Sequence, residues 1–346
     1  MSSASPKPAK SAGPNWLRIA VQVGGFALSM AALYWCYRTA TGNPQLRENW
    51  PKLLDLPFWL LGSMVATSML TIVLAALVFT VVLRPVRRLS AADVTAVSGV
   101  CTLLGYLPFK LSLVFRIFWH NRRDGVPLLV VGGWFGAVAA VILASLAAPV
   151  VAALLVAHDA MLFGITTLVL VGVFGALLYP AASIARFITA HINRKLPAAL
   201  ADKLHRLTAG LDMLHHPRSL AIAMMLRALD LAGQSVRFML ASHAAAAAGL
   251  LAQPLEPSQA AIAGSLFFLL QILAPTGVAG IREGGTVVVL SAISGGLTAE
   301  QIAPVVLVVS AAELIGHILF AIPSALWLWL KPRADDVAAV SLTNES

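Results

Sequence analysis

Apolar residues in this chain come in long unbroken runs, and polar positions fall mainly between the runs. That differs from the alternation of half-buried strands and the one-sided stripe of soluble helices. Residues 1–16 are Ser, Ala, Pro and Lys without apolar periodicity and read as a tail. A first run, 19–37, has Trp16 and Trp35 near its ends; a helix of that length spans a hydrocarbon core of ~30 Å, and tryptophan suits its interfaces. A second run, 58–83, stops at Arg84, Arg87 and Arg88. The next two, 94–109 and 111–119, are short and interrupted, the first by Gly105 and Pro108, the second by Arg116. With Arg87 and Arg88 before them and Arg122 and Arg123 after, they predict a hairpin that enters and leaves on one membrane face.

Residues 127–157 carry no charge and predict a tilted span; 161–184 predict its return. The polar segment 186–218 has Leu196, Leu200, Leu204, Leu207, Leu211 and Leu214 at helical spacing. It reads as an amphipathic helix on the cytoplasmic leaflet. Next, 220–241 is apolar except for Arg227, Asp230, Gln234 and Arg237. The run 260–274 leads into a Pro- and Gly-rich break from Pro275 to Gly285, and 286–293 forms the other arm of a second hairpin. The last span, 304–330, ends at Trp327, Trp329, Lys331 and Arg333. The expected fold is all-α: a polytopic membrane unit over 17–331 with about six full spans and two re-entrant hairpins, followed by a polar tail, 332–346.

Composition excludes a water-soluble globule. Of 346 residues, 59% are apolar and 11% charged, and the mean hydropathy is +0.85; soluble domains carry about 25% charge. A net charge of +9 would suit nucleic acid in a soluble protein, but here most Lys and Arg fall on one side of the expected membrane. Arg38, Arg47 and Lys52 lie outside, and Arg227, Arg237 and Arg282 lie within. The positive-inside rule therefore places both termini in the cytoplasm of a multi-pass inner (plasma) membrane protein, with no nucleic-acid partner. Cys36 and Cys101 stand far apart in apolar runs, which excludes a disulfide framework, a redox pair and a cysteine zinc site.

The two broken stretches share a grammar. Each has a capped start (Leu89-Ser90; Leu255-Glu256-Pro257-Ser258), an apolar helix, a proline (Pro108; Pro275), an arginine seven or eight residues on (Arg282; Arg116), and then a long apolar span. One hairpin opens to the cytoplasm and the other outward, which points to an inverted repeat of the kind found in transporters.

Charges inside apolar sequence are the candidate chemistry. Arg282 and Glu283 lie in the glycine-rich break with Gly277, Gly280 and Gly284. A glycine turn frees backbone N–H groups for an anion, and an arginine adds a planar donor suited to phosphate; alternatively Arg282 and Glu283 pair at the outer interface. Arg227, Asp230, Gln234 and Arg237 fall on one helix stripe, either as a bundle-stabilising set or as a headgroup path with net positive charge. Glu313 and His317 lie one turn apart, as a proton relay or a buried pair. Lys110 and Arg116 are the matching candidates in the first hairpin, or ordinary snorkelling charges. No phosphate loop, zinc motif or nucleophile elbow is present. The histidines show no metal spacing, so no metal or cofactor is expected.

Gly277-Val278-Ala279-Gly280-Ile281-Arg282-Glu283-Gly284 resembles the Gly-Gly-Leu-Gly-Val-Arg-Glu-Gly signature of the lysylphosphatidylglycerol synthase transmembrane (flippase-like) family. The stretch from Leu107-Pro108 to Arg116 is similar to that family's Pro-x-Arg-x-Gly-Asp-x-x-Arg motif. Lys110 replaces its first arginine, Ser112 and Leu113 stand where glycine and aspartate are usual, and Val278 replaces a glycine. The resemblance covers roughly 17–331. It implies a protein that moves or houses lipids, such as aminoacylated, glycosylated or hopanoid-type lipids, with membrane lipids and lipid-synthesis proteins as partners. The synthase domain of bifunctional members has no counterpart in the short segment after Lys331, so that activity is expected to be missing. The leading expectation is a lipid transporter with Arg282 and the glycine turn at one leaflet and Lys110 and Arg116 at the other. The rivals are an intramembrane enzyme acting on a lipid phosphate, with Glu283 or His317 as acid or base, and a non-transporting scaffold.

Overall fold

The computed structural model describes residues 16–53, 55–107, 110–156, 159–193, 197, 213–273, 279–293 and 296–331. Among them the chain forms eleven α-helices and two 3-10 turns. The helices are α1 (Trp16–Thr41), α2 (Pro44–Asn49), α3 (Phe58–Leu83), α4 (Ala91–Leu104), α5 (Leu111–Arg122), α6 (Leu128–Val156), α7 (Ala160–Asn193), α8 (Pro217–Ala247), α9 (Pro257–Leu273), α10 (Ile281–Ile293) and α11 (Ala299–Leu330).

Four of them, α3, α6, α7 and α11, are long and apolar enough to cross a membrane. A helix satisfies its own backbone hydrogen bonds, which lipid cannot do, so unbroken apolar runs become helices. Leu154, Met161, Leu168 and Phe187 on α6 and α7 point away from the bundle, making a surface that lipid rather than water covers. The other two expected spans are α1 and α8, with 26 and 31 residues. Their length also suffices, but their sequences are more polar than those of the apolar four.

The two interrupted stretches form two pairs of short helices, α4 with α5 and α9 with α10, each pair in mutual contact. Contacts between the halves are reciprocal. α4 lies against α11 and α9 against α6; α3 lies against α11 and α8 against α6; α3 and α8 pack on each other. Small residues allow this closeness. A Cβ on Gly264 of α9 would stand 3.1 Å from the carbonyl carbon of Gln234, and one on Gly316 of α11 would stand 3.1 Å from the Val65 carbonyl oxygen. Backbones in contact are the usual way membrane helices gain packing energy.

The expected boundary at 184 is overrun. α7 continues to Asn193, because nothing between Ile184 and Asn193 stops a helix: there is no Gly, Pro or cap, only a change of polarity. The surface helix expected over 186–218 is thus helical at its start as part of α7, and 194–196 and 198–212, with Leu196, Leu200, Leu204, Leu207 and Leu211, lie outside the described residues. Leu214 does not face a leaflet. With Met213 it forms a 3-10 turn buried in the core shared by α3, α6, α7 and α8.

One end of the bundle is tied by charge. The Arg123 guanidinium donates to the carbonyls of Leu328 and Lys331, at 2.9 and 2.6 Å. Asp93, in the first turn of α4, accepts from the Trp327 indole at 3.1 Å and from the Lys331 ammonium. Burial works to raise the Asp93 carboxyl, but the hydrogen bonds from Lys331 and Trp327 and the Lys331 charge outweigh it and hold the group below the usual carboxylate range.

Candidate functional site

The second broken stretch builds its site from the helix start upward. Gly280 precedes α10 with φ +96, and a Cβ there would fall 1.6 Å from the Ser29 carbonyl oxygen of α1. Both the dihedral and the space demand glycine. Glu283, in the first turn of α10, reaches back so that its Oε2 accepts the Gly280 N–H. This is one half of a capping box, with a negative charge at the positive end of the helix. The other carboxylate oxygen, Oε1, accepts from Arg282 Nε at 3.1 Å, Arg282 Nη2 at 2.7 Å and the Ser310 hydroxyl at 2.7 Å.

Arg282 then extends to α11, where Nη1 donates to Glu313 Oε2 at 2.6 Å. Its guanidinium lies 4.0 Å over the Phe267 ring of α9 and 5.7 Å from that of Tyr106, beyond the end of α4. Arg282 is fully buried. All three of its nitrogens are engaged, and the rings cover its faces. The outer-interface alternative therefore meets a different geometry: Arg282 and Glu283 do pair, but inside the bundle and with Glu313 as third member.

Glu313 joins this group to α8. Its Oε1 lies 3.6 Å from Arg237 Nη2 and 3.6 Å from His317 Nε2. Arg237 also donates to the Ser68 hydroxyl of α3 at 2.8 Å and to Gln234 Oε1. Roughly two to three turns back along α8, Arg227 pairs with Asp230, reaches the Ser145 hydroxyl of α6 at 3.4 Å and lies 4.5 Å over the Phe268 ring. The net positive stripe expected on α8 is balanced across the bundle, since Glu313 of α11 faces Arg237. Three guanidiniums (Arg227, Arg237, Arg282) meet three carboxylates (Asp230, Glu283, Glu313). That balance is what makes burial of six charges tolerable.

The first hairpin is arranged differently. Arg116 of α5 is 8% exposed; Nη2 donates to the Ser98 hydroxyl of α4 at 3.0 Å, and the guanidinium lies 4.1 Å over the Phe79 ring of α3. Its Nη1 has no hydrogen-bond partner among the described residues. Arg116 borders a groove of about 360 Å³ between the two hairpins. One wall is the α4–α5 turn, with Gly105, Leu107 and Lys110; the other is the end of α9, with Phe268, Gln271 and Ile272. Among the described residues no carboxylate lines it. Lys110 sits at φ 49, the one non-glycine residue with positive φ among those described. Such a conformation is costly for a side-chain-bearing residue and clusters at functional positions.

The structure thus gathers Arg282, Glu283, Arg237, Glu313 and His317 into one buried cluster, with Arg227 and Asp230 beside it. It sets Lys110 and Arg116 apart in an open groove, the Tyr106 ring lying between the two regions against both Arg282 and His317. Gly284 packs against Ala32 of α1, and Gly277 lies outside the described residues. The hydroxyls of Ser68, Ser98, Ser145 and Ser310, and Gln271 in the groove, are partners the sequence did not single out; each is a small polar residue in an apolar run, and Ser310 precedes Glu313 by one helical turn.

Comparison with curated proteins and with solved structures gives no match for this chain. The model of the lysylphosphatidylglycerol synthase TM region matches residues 22–321, which include both hairpins, the buried cluster and the groove. The chain therefore belongs to the lysylphosphatidylglycerol synthase transmembrane-region family.

Proposed function

We propose that this protein moves an anionic lipid between leaflets, the headgroup phosphate passing through the groove between the two hairpins while the acyl chains stay in lipid. The observation that carries this is the state of Arg116: a guanidinium nine-tenths buried, with one terminal nitrogen unpartnered and no carboxylate lining the groove among the described residues. A buried unpaired donor on a cation is costly unless a ligand fills it. A phosphate oxygen does so with a charge-assisted bond, and Lys110 supplies a second cation at the mouth. Phe79, Phe135, Phe268 and Ile272 give the apolar remainder of the lining, suited to the glycerol and upper acyl region.

The proposed topology is six spans (α1, α3, α6, α7, α8 and α11) with α4–α5 and α9–α10 as re-entrant hairpins from opposite faces of an inner membrane, both termini being cytoplasmic. The reciprocal packing of α4 on α11 and α9 on α6 supports an inverted repeat, in which one midplane route serves both sides. In this reading the charge-balanced cluster of Arg237, Arg282, Glu283 and Glu313 closes the route beyond Tyr106, and Arg282 holds the bundle rather than the headgroup in the observed conformation.

The test is translocation of fluorescent phosphatidylglycerol in proteoliposomes. The wild type is expected to move lipid above the rate of empty vesicles. Arg116→Gln, which removes the charge and is too short to reach Ser98, is expected to lower the rate roughly tenfold or more, as losing a charged hydrogen bond does. Wild-type transport by Arg116→Gln would sink the assignment.

A further inference from the structure

A second basic groove lies at the other end of α3. Tyr37, Arg38 and Thr41 from the end of α1, Arg47 and Trp50 from the connection to α3, and Leu307 of α11 line a space of about 620 Å³. The Arg116 groove is bounded by Phe79, close to the C-terminal end of α3, whereas Trp50 lies just before its N-terminus. Since α3 has 26 residues, its ends stand about 39 Å apart, and the two grooves open toward opposite ends of the bundle.

The second groove is built, not incidental. The Trp50 indole donates to the Ala40 carbonyl at 3.3 Å, the Thr41 hydroxyl to the Tyr37 carbonyl at 2.8 Å, and the Asn49 amide to the Gly249 carbonyl at 2.9 Å. These bonds fix the connection against α1 and the end of α8. Two arginines line the space, and among the described residues no carboxylate does; Glu48 and Asp55, though nearby in sequence, are not among its walls. Arginine pairs with phosphate in forked, charge-assisted geometry. Tyr37 and Trp50 are the residue types that settle at headgroup depth, and Leu307 and Ala311 continue the wall with apolar surface. Phosphate beside apolar and interfacial aromatic groups describes a phospholipid better than a free ion.

We infer that this groove is a second headgroup site, in which Arg38 and Arg47 hold the phosphate of a phospholipid in the leaflet opposite the Arg116 groove. The two sites lie on either side of the buried ion cluster, because Leu307 and Ala311 flank Ser310, which bonds Glu283. The inference rests on the transport reading for its purpose, but its binding chemistry stands alone.

Native mass spectrometry of the full chain with phosphatidylglycerol tests it. The double variant Arg38→Gln/Arg47→Gln should retain one fewer tightly held lipid than the wild type, and Arg38→Lys/Arg47→Lys should restore it. Arg116→Gln should lose a different lipid, so the triple variant loses two. Both arginines are exposed, so these changes leave the packing intact. Unchanged retention by the double glutamine variant overturns the site, as does displacement of its lipid by millimolar inorganic phosphate. If the double variant loses its lipid while wild-type proteoliposomes fail to transport, the site stands and the transport reading fails.

Discussion

Replacing Glu313 by Gln tests whether charge balance holds the bundle together. Gln keeps the shape of the side chain and its position against His317 but removes the charge. Arg282 then loses the charged acceptor at 2.6 Å and keeps Glu283 and the Ser310 hydroxyl. Arg237 loses the carboxylate it pairs with at 3.6 Å and keeps Ser68 and Gln234. The buried set changes from three cations and three anions to three and two, leaving one uncompensated charge in a water-free interior. Breaking a buried pair in this way costs about 3–5 kcal/mol. At roughly 2–4 °C per kcal/mol, the melting temperature should fall by about 6–20 °C. Intrinsic tryptophan fluorescence in detergent micelles reads it, since Trp134 is fully buried in the α3–α6 packing. The sign can be checked independently: adding Arg237→Met to Glu313→Gln removes the excess cation, so the double variant should melt above Glu313→Gln alone. A Glu313→Gln protein melting within about 2 °C of the wild type, or a double variant whose loss is the sum of the single losses, would refute the reasoning.

Two further outcomes follow from local geometry. Lys110→Gly relieves the left-handed backbone at φ 49 and should stabilise the fold by about 1 kcal/mol, seen as a higher melting temperature, while phosphatidylglycerol retention falls; an unchanged or lower melting temperature contradicts the strain assignment. The Asp93 carboxyl is held below its ordinary range in the folded state, so it binds protons less readily than in the unfolded chain, and its contribution is complete above about pH 4 and fades as pH falls through the folded value. Melting curves between neutral pH and pH 3 should therefore drop more for the wild type than for Asp93→Asn, which lacks the titration; parallel curves would remove Asp93 from the account.

Much of the fold was legible because membrane helices follow apolar length. The run 58–83 is α3 itself, the charge-free stretch 127–157 is α6 to within a residue or two, and glycine and proline mark both hairpin breaks. The α7 end was not legible: a charge such as Arg186 marks where lipid stops being comfortable, not where backbone hydrogen bonding stops. For the site, the α8 stripe was readable from spacing alone, since Arg227, Asp230, Gln234 and Arg237 are all buried. Their partners were not. Arg237 meets a glutamate in α11 and a serine in α3, and Arg282 meets a residue 31 positions on. Such pairings depend on how helices pack, which no local pattern encodes. The glycine break was misleading in one respect: its glycines suggested an open anion turn, whereas Gly280 and Gly284 are small because the backbone of α1 occupies the space.

That contact with α1 makes the two halves mechanically unequal. α1 precedes the first half and lies against α10 and α11, whereas α7, which precedes the second, lies against α6 and α8. Gly280 holds Ser29 at backbone distance, so α10 cannot shift without carrying a 26-residue strut with it. α5 lies chiefly against α4 and α6, meets α3 through Arg116 on Phe79 and shares a small apolar cluster with Leu328 of α11, while Val114 and Phe118 face outward. A fold whose halves look interchangeable by contact pattern is therefore braced unequally, and the guanidinium with an unpartnered nitrogen sits on the hairpin opposite the one that α1 braces.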